Sequence, residues 1–163
     1  MSTTPVLGLR RKPGRLALAV FRLPLGLYRR GHGWLLGRTF LVFTHVGHSS
    51  GKRYEAVAMV LGYDEHTAEA VICSAWGPTT DWVRNLRANP AVEVTCGHFT
   101  FSPEQRFLSD DEALRVLVAF THRHPWRARL LSAVLGLGDL RSEAVLHQFV
   151  GSHPFVSFRP VRR

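Results

Sequence analysis

Between Gly47 and Gly51 the chain places an imidazole and two hydroxyls, those of His48, Ser49 and Ser50, and follows them at once with the cations of Lys52 and Arg53. Two glycines so close together let the backbone turn sharply and expose its N–H groups. Such donors concentrate partial positive charge, and adjacent cations add to it, so the turn suits an anionic ligand and above all a phosphate. The same residues also make a plain hairpin turn, and the turn alone does not choose between the two. A P-loop is excluded: the first glycine is one residue too close, and Arg53 stands where the magnesium-binding hydroxyl belongs. The residues that follow also alternate like a strand instead of opening a helix. Nucleotide hydrolysis is set aside on that ground.

Elsewhere the chain is sparing with chemistry. It has no Gly-x-Ser-x-Gly elbow, and no pair of carboxylates is spaced for acid and base work. Gly136-Leu137-Gly138 lacks both a preceding strand and a third glycine, so it predicts a hinge between helices, not a dinucleotide site. Cys73 and Cys96 are the only cysteines, and neither Cys96-Gly97-His98 nor His122-Arg123-His124 has a partner pair at zinc-ligand spacing. No metal site is expected. Two cysteines in a chain able to bury a sizeable core need no disulfide, which points to a reducing cytoplasm. This silence suits an enzyme whose cofactor carries the reaction while the protein binds, orients and tunes it.

A longer pattern extends the turn. A strand, the Gly-x-x-Ser-Gly turn and a second strand lead to a further strand ending Cys73-Ser74-Ala75-Trp76-Gly77-Pro78. Asp81-Trp82-Val83-Arg84-Asn85-Leu86 and Ala88-Asn89-Pro90 follow. In order and spacing this resembles the deazaflavin-dependent nitroreductase family, small split β-barrel proteins that bind coenzyme F420. The resemblance spans residues 36–108, with weaker support from a basic N-terminal helix and a last strand. It implies an α+β fold, a mainly antiparallel split β-barrel of about six strands with an N-terminal helix and covering C-terminal helices. It also implies a cofactor site at Gly47, His48, Ser49, Ser50, Gly51, Lys52 and Arg53 for the anionic groups. Ser74, Ala75, Trp76, Gly77, Trp82 and Asn85 would lie around the ring. Trp76 and Trp82 would stack on the tricycle, and Ser74 or nearby amides would bond its carbonyls; the alternative for both tryptophans is core or rim packing. Tyr54 and His48 are the nearest candidates for proton donation. The chain departs from the family where His48 and Ser49 replace two cations, where Tyr54 replaces an arginine, and where Trp76 stands in place of a lysine. Part of the cationic cradle is thereby lost, with Lys52 and Arg53 beside the gap.

Three functions follow from these observations. The first is an F420H2-dependent oxidoreductase that reduces a quinone, nitroaromatic or enone. The second is a cofactor binder of the same fold, non-catalytic or using FMN or haem. The third is a basic protein that binds membrane surfaces.

The elements that must position these residues read as strands over 39–46, 54–63, 67–75, 92–96 and 98–107, with a last one over 154–161. A short helix over 80–87 has Thr79 or Thr80 as its cap and Asp81 at its positive end, and Asn89-Pro90 stops it. Ser109 and Glu112 open another helix as a capping box, and helical residues from 126 to 149 break at Gly136. At 163 residues and 45% hydrophobic content the chain predicts one domain over residues 14–163, preceded by a disordered basic tail over residues 1–13. The formal charge of +9 favours anionic partners without choosing among them. Basic residues are not interleaved with aromatics as nucleic-acid binding would need, and no nucleic acid is expected. Residues 15–30 are too short and too charged to span a bilayer. They predict a helix kinked or ended near Pro24 that packs on the barrel or lies on anionic lipid, hence a cytoplasmic protein with a peripheral contact at the inner membrane surface left open. A homodimer is open as well.

Overall fold

The computed structural model describes residues 15–162; the tail expected over residues 1–13 lies outside them. The described residues form eight strands: β1 (Phe40–Val46), β2 (Arg53–Met59), β3 (Gly62–Asp64), β4 (Glu69–Cys73), β5 (Glu93–Cys96), β6 (Phe99–Phe101), β7 (Pro103–Phe107) and β8 (Phe155–Pro160). They make two four-stranded antiparallel sheets, ordered β2-β1-β5-β6 and β3-β4-β8-β7. Five α-helices accompany them: α1 (Arg15–Arg29), α2 (Asp81–Ala88), α3 (Asp110–Arg123), α4 (Pro125–Leu135) and α5 (Glu143–Ser152). The fold is therefore mixed α and β.

Six strands were expected and eight are found, because two long ones bend and pass from one sheet to the other. The bend between β2 and β3 is visible in consecutive amides: Val60 N–H donates to Thr39 O at the start of β1, while Leu61 N–H donates to Val71 O of β4. Met59, Val60 and Leu61 are all buried, where a strand with one wet face would alternate. The chain is covered on both sides at the corner, as sheet-switching strands are. The second bend falls at Ser102, whose carbonyl accepts from Val161 N–H.

The core has two parts. Leu41, Phe43, Ile72, Val94, Val156 and Phe158 fill the space enclosed by the strands, closed at one end by Leu86 of α2. The outer face of the second sheet buries Leu61, Val71 and Phe155 against Leu117 and Phe120 of α3, Leu131 of α4 and Phe149 of α5. The acidic first turn and capping box of α3 form as the sequence predicts, with Ser109 and Glu112 satisfying each other's backbone N–H groups. Gly136 ends α4 in the left-handed region at φ +64°, which makes residues 136–138 the expected hinge.

Period-two alternation along β1 turns Leu41, Phe43 and His45 inward, and Phe40, Val42, Thr44 and Val46 outward. The described part of α1 lies on that outward side. Tyr28 Oη donates to Phe40 O at 2.8 Å and accepts from Gly97 N–H at 3.3 Å, and Arg29 pairs with Glu55 at 3.1 Å. Of the placements open to this helix, its described side chains take the one against the sheet. It does not end at Pro24 but runs through it to Arg29. No helix among the described residues is long and apolar enough to cross a membrane.

Two features hold α2 against the sheets. Gln105 of β7 accepts from Ala91 N–H at 2.8 Å and donates to Leu86 O at 2.7 Å, tying down its C-terminal end. At the other end Thr80 stands at the cap position in extended conformation, but its hydroxyl makes no capping bond and lies 3.2 Å from Ser74 Oγ instead.

Candidate functional site

A cleft of about 700 Å³ opens where β1 ends, between the 47–52 turn, the first residues of β2 and the N-terminal half of α2. Its residues come from separate parts of the chain, so the cleft exists only when both sheets and α2 are assembled.

The turn is tight because of its glycines. Gly47 N–H donates to Lys52 O at 2.8 Å and Gly51 N–H to Gly47 O at 2.9 Å. Gly51 has φ +68°, which suits glycine. A Cβ on Gly47 would stand 2.4 Å from Ser50 Oγ and 3.0 Å from Tyr54 Cε2, so the inside of the turn admits no side chain there. Ser50 Oγ accepts from Lys52 N–H and lies 3.4 Å from Tyr54 Oη. Among the described bonds the amides of Ser49 and Ser50 donate to nothing. Of the five amides from Gly47 to Gly51, two are thus left without an internal partner among the described bonds.

Behind the turn, one buried amide joins two imidazoles. Asn85 Oδ1 accepts from His48 N–H at 2.9 Å and lies 2.8 Å from His48 Nδ1, while Asn85 Nδ2 lies 2.9 Å from His45 Nδ1. A backbone N–H only donates, so the atom facing it must be the carbonyl oxygen, and this fixes which way the amide points. His48 therefore carries its proton on Nδ1. His45 must accept at Nδ1 from the amide NH2, which leaves its own proton on Nε2. His45 and Asn85 are only 5% and 4% exposed. Burial pushes the His45 pKa below the ordinary imidazole value, and the charge of Asp81 opposes that shift. His45 also stacks on Tyr54 at a centroid distance of 5.8 Å, and Trp82 packs edge-on against Phe43 at 5.3 Å.

Of the residues singled out by sequence, Gly47, His48, Ser49, Ser50, Tyr54, Trp76, Trp82 and Asn85 line the cleft together. Gly51, Lys52, Arg53, Ser74, Ala75 and Gly77 do not. Arg53 is paired with Val46 on the outward side of the sheet, one residue from the inward Tyr54, so strand alternation carries it away. Lys52 is exposed at the turn's far end. Ser74 is fully buried, and its hydroxyl donates to Gly77 O at 2.6 Å, so it has no free donor for a ligand. Among the described residues no lysine or arginine lines the cleft; the donors there are neutral, and Asp81 is the one carboxylate. Sequence reasoning missed His45, Ala56, Thr79, Thr80 and Asp81. The signal for His45 was present: it continues the inward series Leu41, Phe43, and a polar residue on a core face at a strand's end points into whatever lies there.

The model of a family described as F420H2-dependent quinone reductase matches residues 21–128. Among solved structures, one described as an F420-H2 dependent reductase (FDR-A) is 20% identical, with 76% of this chain and 96% of that one covered at a TM-score of 0.50; the likeness is one of fold. The chain is also similar to HutZ, a heme storage protein from Vibrio cholerae, at 14% identity, with 84% and 92% covered and a TM-score of 0.49. A pyridoxamine 5'-phosphate oxidase-related, FMN binding protein from Nostoc punctiforme is 15% identical, with 94% and 83% covered at a TM-score of 0.47. No curated protein matches the sequence.

Proposed function

The chain belongs to the F420H2-dependent quinone reductase family and is an oxidoreductase that uses coenzyme F420, and from that premise we propose that the cleft beside the 47–52 turn holds the cofactor and a quinone-like acceptor. The two sheets, with β2 running into β3 and β6 into β7, are read as the split barrel of that family. One domain over residues 14–163 suits a core that runs from the enclosed strands to the three C-terminal helices.

The cleft fits such a cofactor. Its volume lies within the usual range for a small-molecule site, about 300–1,000 Å³. The rings of Trp76, Trp82 and Tyr54 on its walls give a tricycle faces to lie against. The unbonded amides of Ser49 and Ser50, with the hydroxyls of Ser49 and Thr79, give a phosphate neutral donors. When bound, the cofactor supplies hydride. The protein's own residues hold the acceptor against it between aromatic walls and present two imidazoles, His45 with a free N–H and His48 with a free acceptor nitrogen. Lys52 and Arg53 stand outside the cleft, Arg53 on the outward face of its sheet, and act on an anionic cofactor only through their long-range charge.

The observation that carries this proposal is the convergence of aromatic walls, free turn amides and the Asn85-held imidazoles in one cleft. Its test is turnover: mixing the protein with F420H2 and a soluble naphthoquinone should oxidise the cofactor with matching loss of quinone. Turnover with FMNH2 but not F420H2 would overturn it. Which acceptor serves in the cell is part of the proposal, and so are two contacts. The exposed Trp34, Leu35 and Phe99 are where a second copy, or the inner membrane surface of a cytoplasmic protein, would bear.

A further inference from the structure

We propose that His45 is a catalytic residue, a neutral hydrogen-bond donor whose Nε2–H, aimed and kept in that tautomer by Asn85, meets the carbonyl oxygen of the hydride acceptor. The proposal rests on the oxidoreductase reading of the cleft. His45 lines the cleft and is otherwise buried, and Nε2 has no partner among the described residues. Its Nδ1 is occupied by the Asn85 amide. Protonating Nδ1 would set one N–H against another, so the geometry resists the imidazolium form, and burial works in the same direction. The titratable groups packed against the ring are Tyr54 across the β1–β2 pair, His48 through Asn85, and Asp81 at the start of α2. Only Asp81 favours a charged ring.

A neutral imidazole is a poor acid but a good fixed donor. When hydride and its two electrons reach a quinone or enone, conjugation gathers the displaced electron pair on a carbonyl oxygen. A preorganised N–H at that oxygen stabilises the charge as it forms, without the reorganisation that water would need. A proton from water then completes the product, so that acceptor plus hydride plus proton gives the quinol or ketone. His45 ends as it began. Asn85 is a positioning residue, and His48, whose backbone N–H fixes the amide's orientation, anchors the arrangement from the turn.

The test uses the full chain. Nitrogen-15 NMR of the imidazoles at about pH 7.5, where an ordinary histidine is neutral, should show His45 protonated at Nε2 and His48 at Nδ1. In Asn85→Asp the carboxylate can only accept, so the His45 proton should move to Nδ1. With F420H2 and a soluble naphthoquinone, His45→Phe should lower kcat by about 10²–10³, the usual loss for one such donor. His45→Gln, which keeps an N–H near the same place, should recover part of it and stands in if the phenylalanine variant does not fold. Wild-type kcat should fall as acid protonates His45, whereas an imidazolium acid would give a rising rate. Wild-type kcat in a folded His45→Phe, a rate that rises with acid, or an Nδ1 proton on wild-type His45 would each overturn the proposal. F420 titration of each variant separates the two ideas: a wild type that binds no F420 refutes the cofactor reading, while variants that bind it normally and turn over normally refute only the role of His45.

Discussion

Asn85 links β1, the turn and α2 through three short contacts, and each is to a group that cannot be exchanged without changing a proton's position. Its place in the Asp81-to-Leu86 motif marked it as a site residue, but sequence spacing does not show that it faces two histidines. His48 and Tyr54 were legible as candidates because one sits in the turn and the other two residues beyond it, at the start of β2. His45 was not, because a histidine among apolar strand residues looks like packing until the strand's partner is known. The buried histidines also set a pH dependence of stability. Burial depresses the pKa of His45, and burial does the same to His153, which stacks on Phe149 at 4.0 Å. For both, the unfolded chain binds more protons as pH falls through about 6.5, so stability is full above that value and declines below it. Glu112 acts in a separate, lower window: the Ser109 amide and then Arg106 hold its carboxyl down to about 2. Thermal unfolding should therefore show a lower Tm at about pH 5.5 than at about pH 7.5, while carboxylates remain ionised. An unchanged Tm would mean that neither histidine is kept neutral by the fold.

The turn and α2 carry most of the candidate site, and their lengths and limits were readable from glycine, cap and proline signals. What those signals could not show is which amides remain free. Gly47, His48 and Gly51 donate within the protein, so only Ser49 and Ser50 are left for a ligand. Lys52 and Arg53 looked like part of the cradle because they are adjacent in sequence, yet β2 begins at Arg53 and its alternation sends that side chain to the face of the sheet that α1 covers. Gly47→Ala tests the turn as an element. The new Cβ would displace Ser50 Oγ and with it the bond to Lys52 N–H. A loss of about 1–2 kcal/mol in stability is expected from one broken hydrogen bond and local strain, together with weaker cofactor binding. Equal stability and equal binding would show that the turn does not need its first glycine.

At the scale of the whole molecule, the order of strands and helices was legible, and so was the core-facing series in β1. The two sheet-switching bends were not, because residues 58–61 read as one apolar run whether the chain stays in its sheet or leaves it. Those bends close the strands around Phe43 and Phe158, and α2 caps that enclosed core where β1 ends, which is where the cleft forms. Among the described residues no lysine or arginine lines the cleft, so the formal charge of +9 favours an anionic cofactor through its long-range field. Fluorescence titration of oxidised F420 tests this account most directly. The expected result is one saturable site per chain that Trp76→Ala weakens at any salt concentration, through lost stacking and burial, and that Lys52→Ala with Arg53→Ala weakens only at low salt. Absence of saturation, or binding that depends on Lys52 and Arg53 at high salt and ignores Trp76, would contradict it.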